Sequence, residues 1–417
     1  MKKIEVWADW YFLPEAQKVG TLNVSVTRGK EIFSFEYESS WLKGKYTFQI
    51  DPQLQLYKGN FHTSSGSENF GVFLDSSPDR WGRTLMIRRE MLRAKEEKRS
   101  IKTLMGSDYL LGVYDQTRMG GLRFKMDGPF LDDGNDVPTP PWTSIRELEQ
   151  ASLFLESEDA EEDPRCSEQL KLLFAPGSSL GGARPKASVI DPDQHLWIAK
   201  FPSKDDVKDV GGWEAVVYEL AKKCKIRIPV AKAQKFANKH HTFLTKRFDR
   251  MPDGKRVHFA SAMTLLQHKD GDSYQSGVSY LEMVDFIIQN GVPSKVNQDL
   301  EELWKRIVFS IAVSNSDDHL RNHGFLLSEE GWELSPAYDL NPNEMANGLS
   351  LNISWKSNAL DFELAKSVAN DFRIPPKKMT EFLALVKTEL KNWKLIADKY
   401  NLSRSEQQRM EKAFTTK

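Results

Sequence analysis

The 417-residue chain is too long for one ordinary core, and 40% hydrophobic with 28% charged residues describes a soluble globular protein of two or three domains. Its 58 Lys+Arg against 59 Asp+Glu leave a net charge of −1, which excludes the phosphate-neutralising surplus of an autonomous nucleic-acid binder, so any DNA contact is expected only indirectly, through a partner. The two cysteines, Cys166 and Cys224, lie far apart without metal-ligand spacing, which excludes a disulfide framework and fits a reducing cytoplasm.

Met1-Lys-Lys-Ile-Glu-Val reads as a strand and not as a signal peptide, and no apolar run approaches the ~20 residues a spanning helix requires, so no membrane is expected. Leu22, Val24 and Val26 alternate before Arg28-Gly29-Lys30, and Phe33, Phe35 and Tyr37 alternate after it, which predicts a hairpin. Pro78-Asp-Arg-Trp opens a basic helix with Leu85, Met86, Met91 and Leu92 inward and Arg88, Arg89 and Arg93 solvated. Asp132 to Asp136 with Pro138, Pro140 and Pro141 reads as a linker, and the acidic run Glu156 to Asp163 as solvated surface. A glycine-rich stretch, Ser178-Ser-Leu-Gly-Gly-Ala-Arg-Pro-Lys-Ala187, leads into strands at Lys186–Ile190 and His195–Phe201 with a turn at Asp191–Gln194. Trp213, Val216, Val217, Leu220, Ala221 and Cys224 fall at helical spacing, with the helix opening at Trp213-Glu214. Ser279-x-x-Glu282 is a capping box for a helix ending at Gly291, and Leu300 to Ile311 marks a buried helix. A hairpin follows at Gly324–Leu327 and Trp332–Leu334, and the C-terminal pattern is helical. No internal repeat is present.

Between the buried helix and that hairpin stands Ser314-Asn-Ser-Asp-Asp-His-Leu-Arg-Asn322, and beyond the hairpin Tyr338-Asp339. Asp317 and Asn322 reproduce the spacing with which protein kinases place a catalytic carboxylate and a magnesium-binding amide, and Asp339 arrives where a second metal carboxylate is expected. Phosphoryl transfer needs mainly in-line positioning of a hydroxyl and neutralised phosphate oxygens, so an Asp, an Asn and an Asp in this order suffice. Upstream, glycines let backbone N–H groups approach phosphate, a strand lysine, Lys200, adds a point charge, and an acid on the next helix, Glu214, holds that lysine. Taken alone, a D-x4-N string is equally a set of turn and capping residues.

The segments Gly177–Ala187, Ile198–Ser203, Thr245–Arg250, Ser316–Phe325 and Leu334–Pro342, in this order, resemble the HipA family, the serine/threonine kinase toxins of bacterial type II toxin–antitoxin systems, and Pro78-Asp-Arg-Trp-Gly82 resembles that family's amino-terminal subdomain. The resemblance implies an α+β, protein-kinase-like two-lobed fold. Its parts would be a β-rich N-terminal subdomain (1–130), a small lobe with the Gly-rich loop and Lys200 (131–250), and a largely helical large lobe with the catalytic loop (251–417). It implies ATP and Mg2+ as cofactors. Asp317 would orient the substrate hydroxyl and accept its proton, with Asn322 and Asp339 on the metal. Gly181, Gly182, Ala183, Lys186, Lys200 and Glu214 would meet the nucleotide phosphates or hold their partners, Phe248 and Asp249 would occupy the hinge near adenine and ribose, and Tyr338 would pack by the base.

The resemblance also implies autophosphorylation on Ser179 or Ser178, where added charge repels ATP from the loop. It further implies a protein substrate of the aminoacyl-tRNA synthetase class, growth inhibition, and a HipB-like helix-turn-helix antitoxin as partner. Three choices stay open: Asp318 in place of Asp317, Glu219 in place of Glu214, and an ordinary Arg-Phe-Asp turn at 247–249. Two rival functions are a catalytically inactive corepressor of the antitoxin and a metal-dependent hydrolase using His319, His323 and Asp317. HRD and DFG strings do not occur.

Overall fold

The structure, a computed structural model, describes residues 1–64, 67–131, 139–157, 160, 162–177 and 182–414. The expected serines Ser178 and Ser179, Gly181 and the linker residues 132–138 lie outside the described residues. The chain forms two compact units, residues 1–205 with 236–238 and 246–260, and residues 206–235 with 239–245 and 261–417. This grouping does not follow the division expected at 130 and 250. The glycine loop and Lys200 fall in the first unit with the N-terminal sheet, and the helix carrying Glu214 falls in the second.

In the first unit, five antiparallel strands run in the order β4-β3-β2-β1-β5, with β1 Lys2–Ala8, β2 Gln17–Thr27, β3 Lys30–Tyr37, β4 Asn60–His62 and β5 Leu122–Lys125. The β2–β3 turn places Arg28 and Gly29 at φ 51° and 74°, the twist-matched hairpin turn with two left-handed residues. Leu22, Val24, Phe33, Phe35 and Tyr37 are buried, as their alternation requires. Short helices α1 (Ser39–Leu42), α2 (Gly71–Asp75) and α4 (Gly106–Leu111) accompany the sheet, and α3 (Arg80–Glu96) packs with α6 (Cys166–Gly177), itself against α5 (Ile145–Leu155). Asp79 caps α3 by accepting from the Arg80 amide at 2.9 Å.

Two surface expectations fail here because long side chains reach neighbours. Arg88 donates to the Leu155 carbonyl, and the Arg89 guanidinium lies 3.4 Å from the Phe174 ring centroid, so both pin α3 and are not simply solvated. Glu156 likewise accepts from Ser203 Oγ and the Lys204 amide, each at 2.8 Å, and so holds the turn after Lys200. The described end of the expected linker is also used, since Pro141 bridges Ile190 in parallel and the Ile190 amide donates to Pro140.

The unit's second hairpin joins β6 (Lys186–Ile190) to β7 (Leu196–Lys200), antiparallel, with Lys186 directly opposite Lys200.

The second unit is largely helical. Its strands β8 (Ala231–Gln234) and β9 (Thr242–Lys246, the last residue counted with the first unit) pair antiparallel, and β11 (Gly324–Ser328) pairs with β12 (Gly331–Leu334); the short β10 (Phe259–Ser261) has its first two residues in the first unit and Ser261 in the second. Helices α7 (Val210–Lys223), α8 (Ala262–Leu265), α9 (Tyr280–Asn290), α10 (Val296–Val313), α11 (Phe362–Ser367), α12 (Pro376–Leu390), α13 (Trp393–Lys399) and α14 (Arg404–Met410) complete it. The capping box at Ser279 and Glu282 forms as the spacing predicts.

α7 begins earlier than the apolar pattern implied. Asp209 caps it through the Gly212 amide, and Gly211-Gly212 form its first turn instead of breaking it. The reason is space, because a Cβ at Gly211 would lie 2.2 Å from the His241 carbonyl oxygen. Glu214 therefore stands in the second turn. Among the described residues no helix is long and apolar enough to cross a membrane.

Candidate active site

In the second unit, α10 ends at Ser314 in the left-handed region, φ 53°, which turns the chain sharply into the Asn315–Asn322 loop. The two adjacent aspartates of that loop part company. Asp318 is 3% exposed and accepts from Tyr280 Oη at 2.6 Å and Ser310 Oγ at 3.2 Å, with His323 Nε2 2.8 Å away. Burial alone would raise its carboxyl, but His323, Tyr280 and Ser310 outweigh burial and hold it below the ordinary range.

Asp317 points the other way, with 81% of its side chain accessible and His319 Nε2 3.9 Å from its carboxylate. Its carboxyl is raised. Protein mass around it acts first, and the charges of Asp339 and Asp318 add to that against the counterpull of His319. Asp317 and Asp339, remote in sequence, are thus electrostatic neighbours.

Asn322 closes the loop by donating from Nδ2 to the Asp317 carbonyl at 2.7 Å, and Tyr338 Oη donates to the Arg321 carbonyl, also at 2.7 Å. Asp339 itself holds φ +54°, a left-handed conformation uncommon for a residue with a Cβ and frequent at functional sites. The structure therefore gathers Asp317, Asn322, Tyr338 and Asp339. Behind them lies Tyr218 of α7, 4% exposed, its hydroxyl 3.5 Å from the Ala337 carbonyl. Burial raises the Tyr218 hydroxyl far above its ordinary range, and the charges of Glu214 and Asp339 raise it further.

Glu214 is 2% exposed on this inner face of α7, whereas Glu219 accepts from Lys399 and Tyr400. Of the two acids left open by the sequence, Glu219 is spent on α13. Cys224, at the end of the same helix, is buried, and desolvation pushes its thiol up to about 12, so it is packing and not a nucleophile.

The hydrolase alternative finds no geometry among the described residues. His323 is buried against Asp318 and Tyr280, and the group of three acidic or imidazole ligands that does converge is Asp191, Asp193 and His195 on the β6–β7 turn, with Asp191 already accepting from the His195 amide and Trp197 Nε1.

In the first unit, the described part of the glycine loop is held from an unforeseen side. The Gly182 amide donates to the Asp79 carboxylate, the Gly182 carbonyl accepts from the Trp81 amide at 3.2 Å, and Trp81 Nε1 donates to the Lys186 carbonyl at 3.0 Å. Gly182 suits glycine because it takes φ +87°, a left-handed conformation that strains a residue with a Cβ. Ala183 is exposed, Lys186 is 5% exposed, and Lys200 is half-buried opposite it.

The proposed hinge reads differently. Asp249 is 1% exposed and takes donors from Arg247, Arg250 and the Gly120 amide, which hold its carboxyl far below the ordinary range despite full burial. That carboxylate is enclosed in a structural turn and does not face outward toward a ribose. Phe248 is half-buried with its ring 6.1 Å from that of Phe259. Asp79 and Trp81 were missed as loop supports because only a helix cap and a core residue are visible in Pro78-Asp-Arg-Trp. Their ties to Gly182 and Lys186 span about a hundred residues.

Comparison with known proteins places these observations. The HipA-like C-terminal domain model matches residues 178–393, just over half the chain. A Haemophilus influenzae protein described as "Putative kinase" is 28% identical over 181 residues, 39% of this chain and 52% of the relative, so the chain spans about half the length of that curated relative. In three dimensions the chain is similar to HipA of Shewanella oneidensis MR-1, solved in complex with HipB and its operator DNA. The TM-score is 0.62 at 14% identity, covering 98% of this chain and 94% of that one. The α+β, protein-kinase-like fold with a β-rich N-terminal part and a helical C-terminal part is that of HipA. The chain belongs to the HipA family, through its HipA-like C-terminal domain.

Proposed function

We propose that this protein is a cytoplasmic serine/threonine protein kinase of HipA type that uses ATP and Mg2+. The observation that carries the reading is the convergence of Asp317, Asn322 and Asp339: Asn322 Nδ2 donates to the Asp317 carbonyl, Tyr338 beside Asp339 donates to the Arg321 carbonyl, and the charge of Asp339 is felt at Asp317. Two neighbouring carboxylates next to a neutral oxygen donor form a hard-oxygen set that fits Mg2+, which binds one or two carboxylates together with substrate phosphates. When bound, the metal supplies neutralisation of phosphate charge.

The chain's own side chains do the rest. Asn322 and Asp339 would hold the metal, and Asp317, open to solvent, orients an incoming serine or threonine hydroxyl and accepts its proton. By resemblance Gly181 and Ala183 give backbone N–H groups to phosphate, while the Gly182 amide is held by Asp79 and shapes the turn, with Lys186 and Lys200 as point charges and Glu214 as the acid on α7. The Tyr338 ring remains the group assigned to the base. By the same resemblance the acceptor is an aminoacyl-tRNA synthetase, Ser178 or Ser179 is autophosphorylated, and growth is inhibited. A HipB-like antitoxin is the partner, as HipB is for the Shewanella protein, and it carries any DNA contact.

The test is transfer of radiolabelled γ-phosphate from ATP in cell lysate, with mass spectrometry of the protein itself. Asp317→Ala is expected to lower incorporation by about 10²- to 10⁴-fold. Incorporation that survives the substitution unchanged sinks the reading, and absence of phosphate on both serines removes autophosphorylation alone.

A further inference from the structure

We propose that Tyr338 is a positioning residue whose hydroxyl sets the spacing of the two metal-binding side chains. The inference rests on the kinase reading of the same site. The carbonyl that Tyr338 Oη grips, at 2.7 Å, belongs to the peptide joining Arg321 to Asn322, and the residue following Tyr338 is Asp339. One hydrogen bond therefore ties together the two backbone positions from which Asn322 and Asp339 project. Asn322 is fixed at its other side too, through Nδ2 to the Asp317 carbonyl at 2.7 Å. The chain of contacts thus runs from Asp317 through Asn322 and Tyr338 to Asp339.

The tie matters because Asp339 takes φ +54°, a left-handed turn that Asp enters more readily than most residues and that sets the direction in which its side chain leaves the backbone. A fixed neighbour helps hold the backbone in that turn. Tyr338 is next to it in the chain and is anchored at its tip. Close to the same segment, Tyr218 Oη lies 3.5 Å from the Ala337 carbonyl, a longer and weaker contact that does not reach the Asn322 peptide.

Metal chemistry turns this spacing into a measurable preference. Mg2+ demands a near-ideal octahedron with short bonds and tolerates little ligand displacement, whereas Ca2+ accepts longer bonds and six to eight ligands in flexible arrangements. Loosening the Asn322–Asp339 spacing must then penalise Mg2+ more than Ca2+. A merely structural contribution of the tyrosine would weaken both ions alike.

Tyr338→Phe keeps the ring and removes the hydroxyl. The measurement is electron paramagnetic resonance of Mn2+ bound with the non-hydrolysable analogue AMP-PNP, with Mg2+ and Ca2+ affinities obtained by competition, so no turnover is read. The expected result is a rise of about three- to tenfold in the Mg2+ dissociation constant, the size of one lost internal hydrogen bond, and a smaller rise for Ca2+. The ratio is read within each preparation, so a partly folded variant changes the amount of bound ion but not the ratio. An unchanged Mg2+ constant, or equal weakening of both ions, overturns the role of Tyr338 while leaving the kinase reading intact. Wild-type protein that binds no Mn2+ with AMP-PNP overturns both.

Discussion

Asp317 and Asp318 are chemically identical neighbours with opposite fates, and the difference is environment. Asp318 is wrapped by Tyr280, Ser310 and His323, and Asp317 faces solvent and another carboxylate. Because Asp339 pushes the Asp317 carboxyl up, Asp339→Asn should let it fall toward the ordinary value of ~3.9, as read by carbon-13 NMR titration. No movement would mean the two carboxylates do not interact. The same raised carboxyl means that Asp317 is neutralised, on acidification of the metal-free protein, at a higher pH than an ordinary aspartate.

Asp318 has the reverse sign. Its depressed carboxyl contributes stability that is present above ~3.9 and lost as pH falls through the folded value. Removing its partner leaves a buried charge, so His323→Ala should cost about 3–5 kcal/mol in urea unfolding at pH 7. The five-residue step from Asp317 to Asn322 was legible in the sequence, and so was the order Asp-Asn-Asp. Which aspartate is encased was decided by Tyr280 and Ser310, residues that carry no signal for that task in the chain.

Among the elements, α7 and α3 show where local pattern stops being informative. The apolar stripe of α7 marked its buried face correctly, but its start lies at Val210, because Gly211 and Gly212 serve close approach and not chain breaking. Replacing Gly211 by Ala should gain about 1 kcal/mol of helix propensity and lose about 1–3 kcal/mol to the collision with the His241 carbonyl. Backbone cannot step aside as a flexible side chain can, so the expected outcome is net destabilisation in thermal melting. A variant more stable than wild type would contradict the packing.

α3 has two duties at one residue, since Asp79 caps the helix and accepts the Gly182 amide. Asp79→Ala should cost about 0.5–2 kcal/mol as a lost cap. It should also speed hydrogen exchange at the Gly182 amide beyond that at α3's interior, and equal protection in both proteins would remove the second duty. Hairpins and capping boxes were readable because their determinants lie within a few residues of each other. The loop support was not, for its partners are about a hundred residues apart.

At the scale of the whole molecule, charge is balanced overall and segregated locally. Lys186 and Lys200 stand opposite each other in the first unit, Asp317 and Asp339 crowd in the second, and the total is −1. The division into units could not be drawn from motif order, because ties such as Trp81 to Lys186 join the first hundred residues to the glycine loop. Total charge, in contrast, needs no structure. A duplex is bound non-specifically by neutralising phosphates and releasing counterions, with affinity falling in log–log fashion as salt rises in proportion to the phosphates contacted. On the proposed reading Lys186 and Lys200 serve a nucleotide and add nothing to such a surface, and 58 cations offset by 59 anions leave no surplus for it. Fluorescence anisotropy of a labelled duplex at 150 mM salt should therefore show the protein alone binding no more tightly than roughly 10⁻⁴ M, the weak end of non-specific binding. Tight binding and a steep salt slope should appear only on addition of the proposed HipB-like helix-turn-helix antitoxin. Submicromolar binding by the isolated protein, with a slope of several phosphates, would show that a cationic face exists despite the balance and would return DNA to the list of direct ligands.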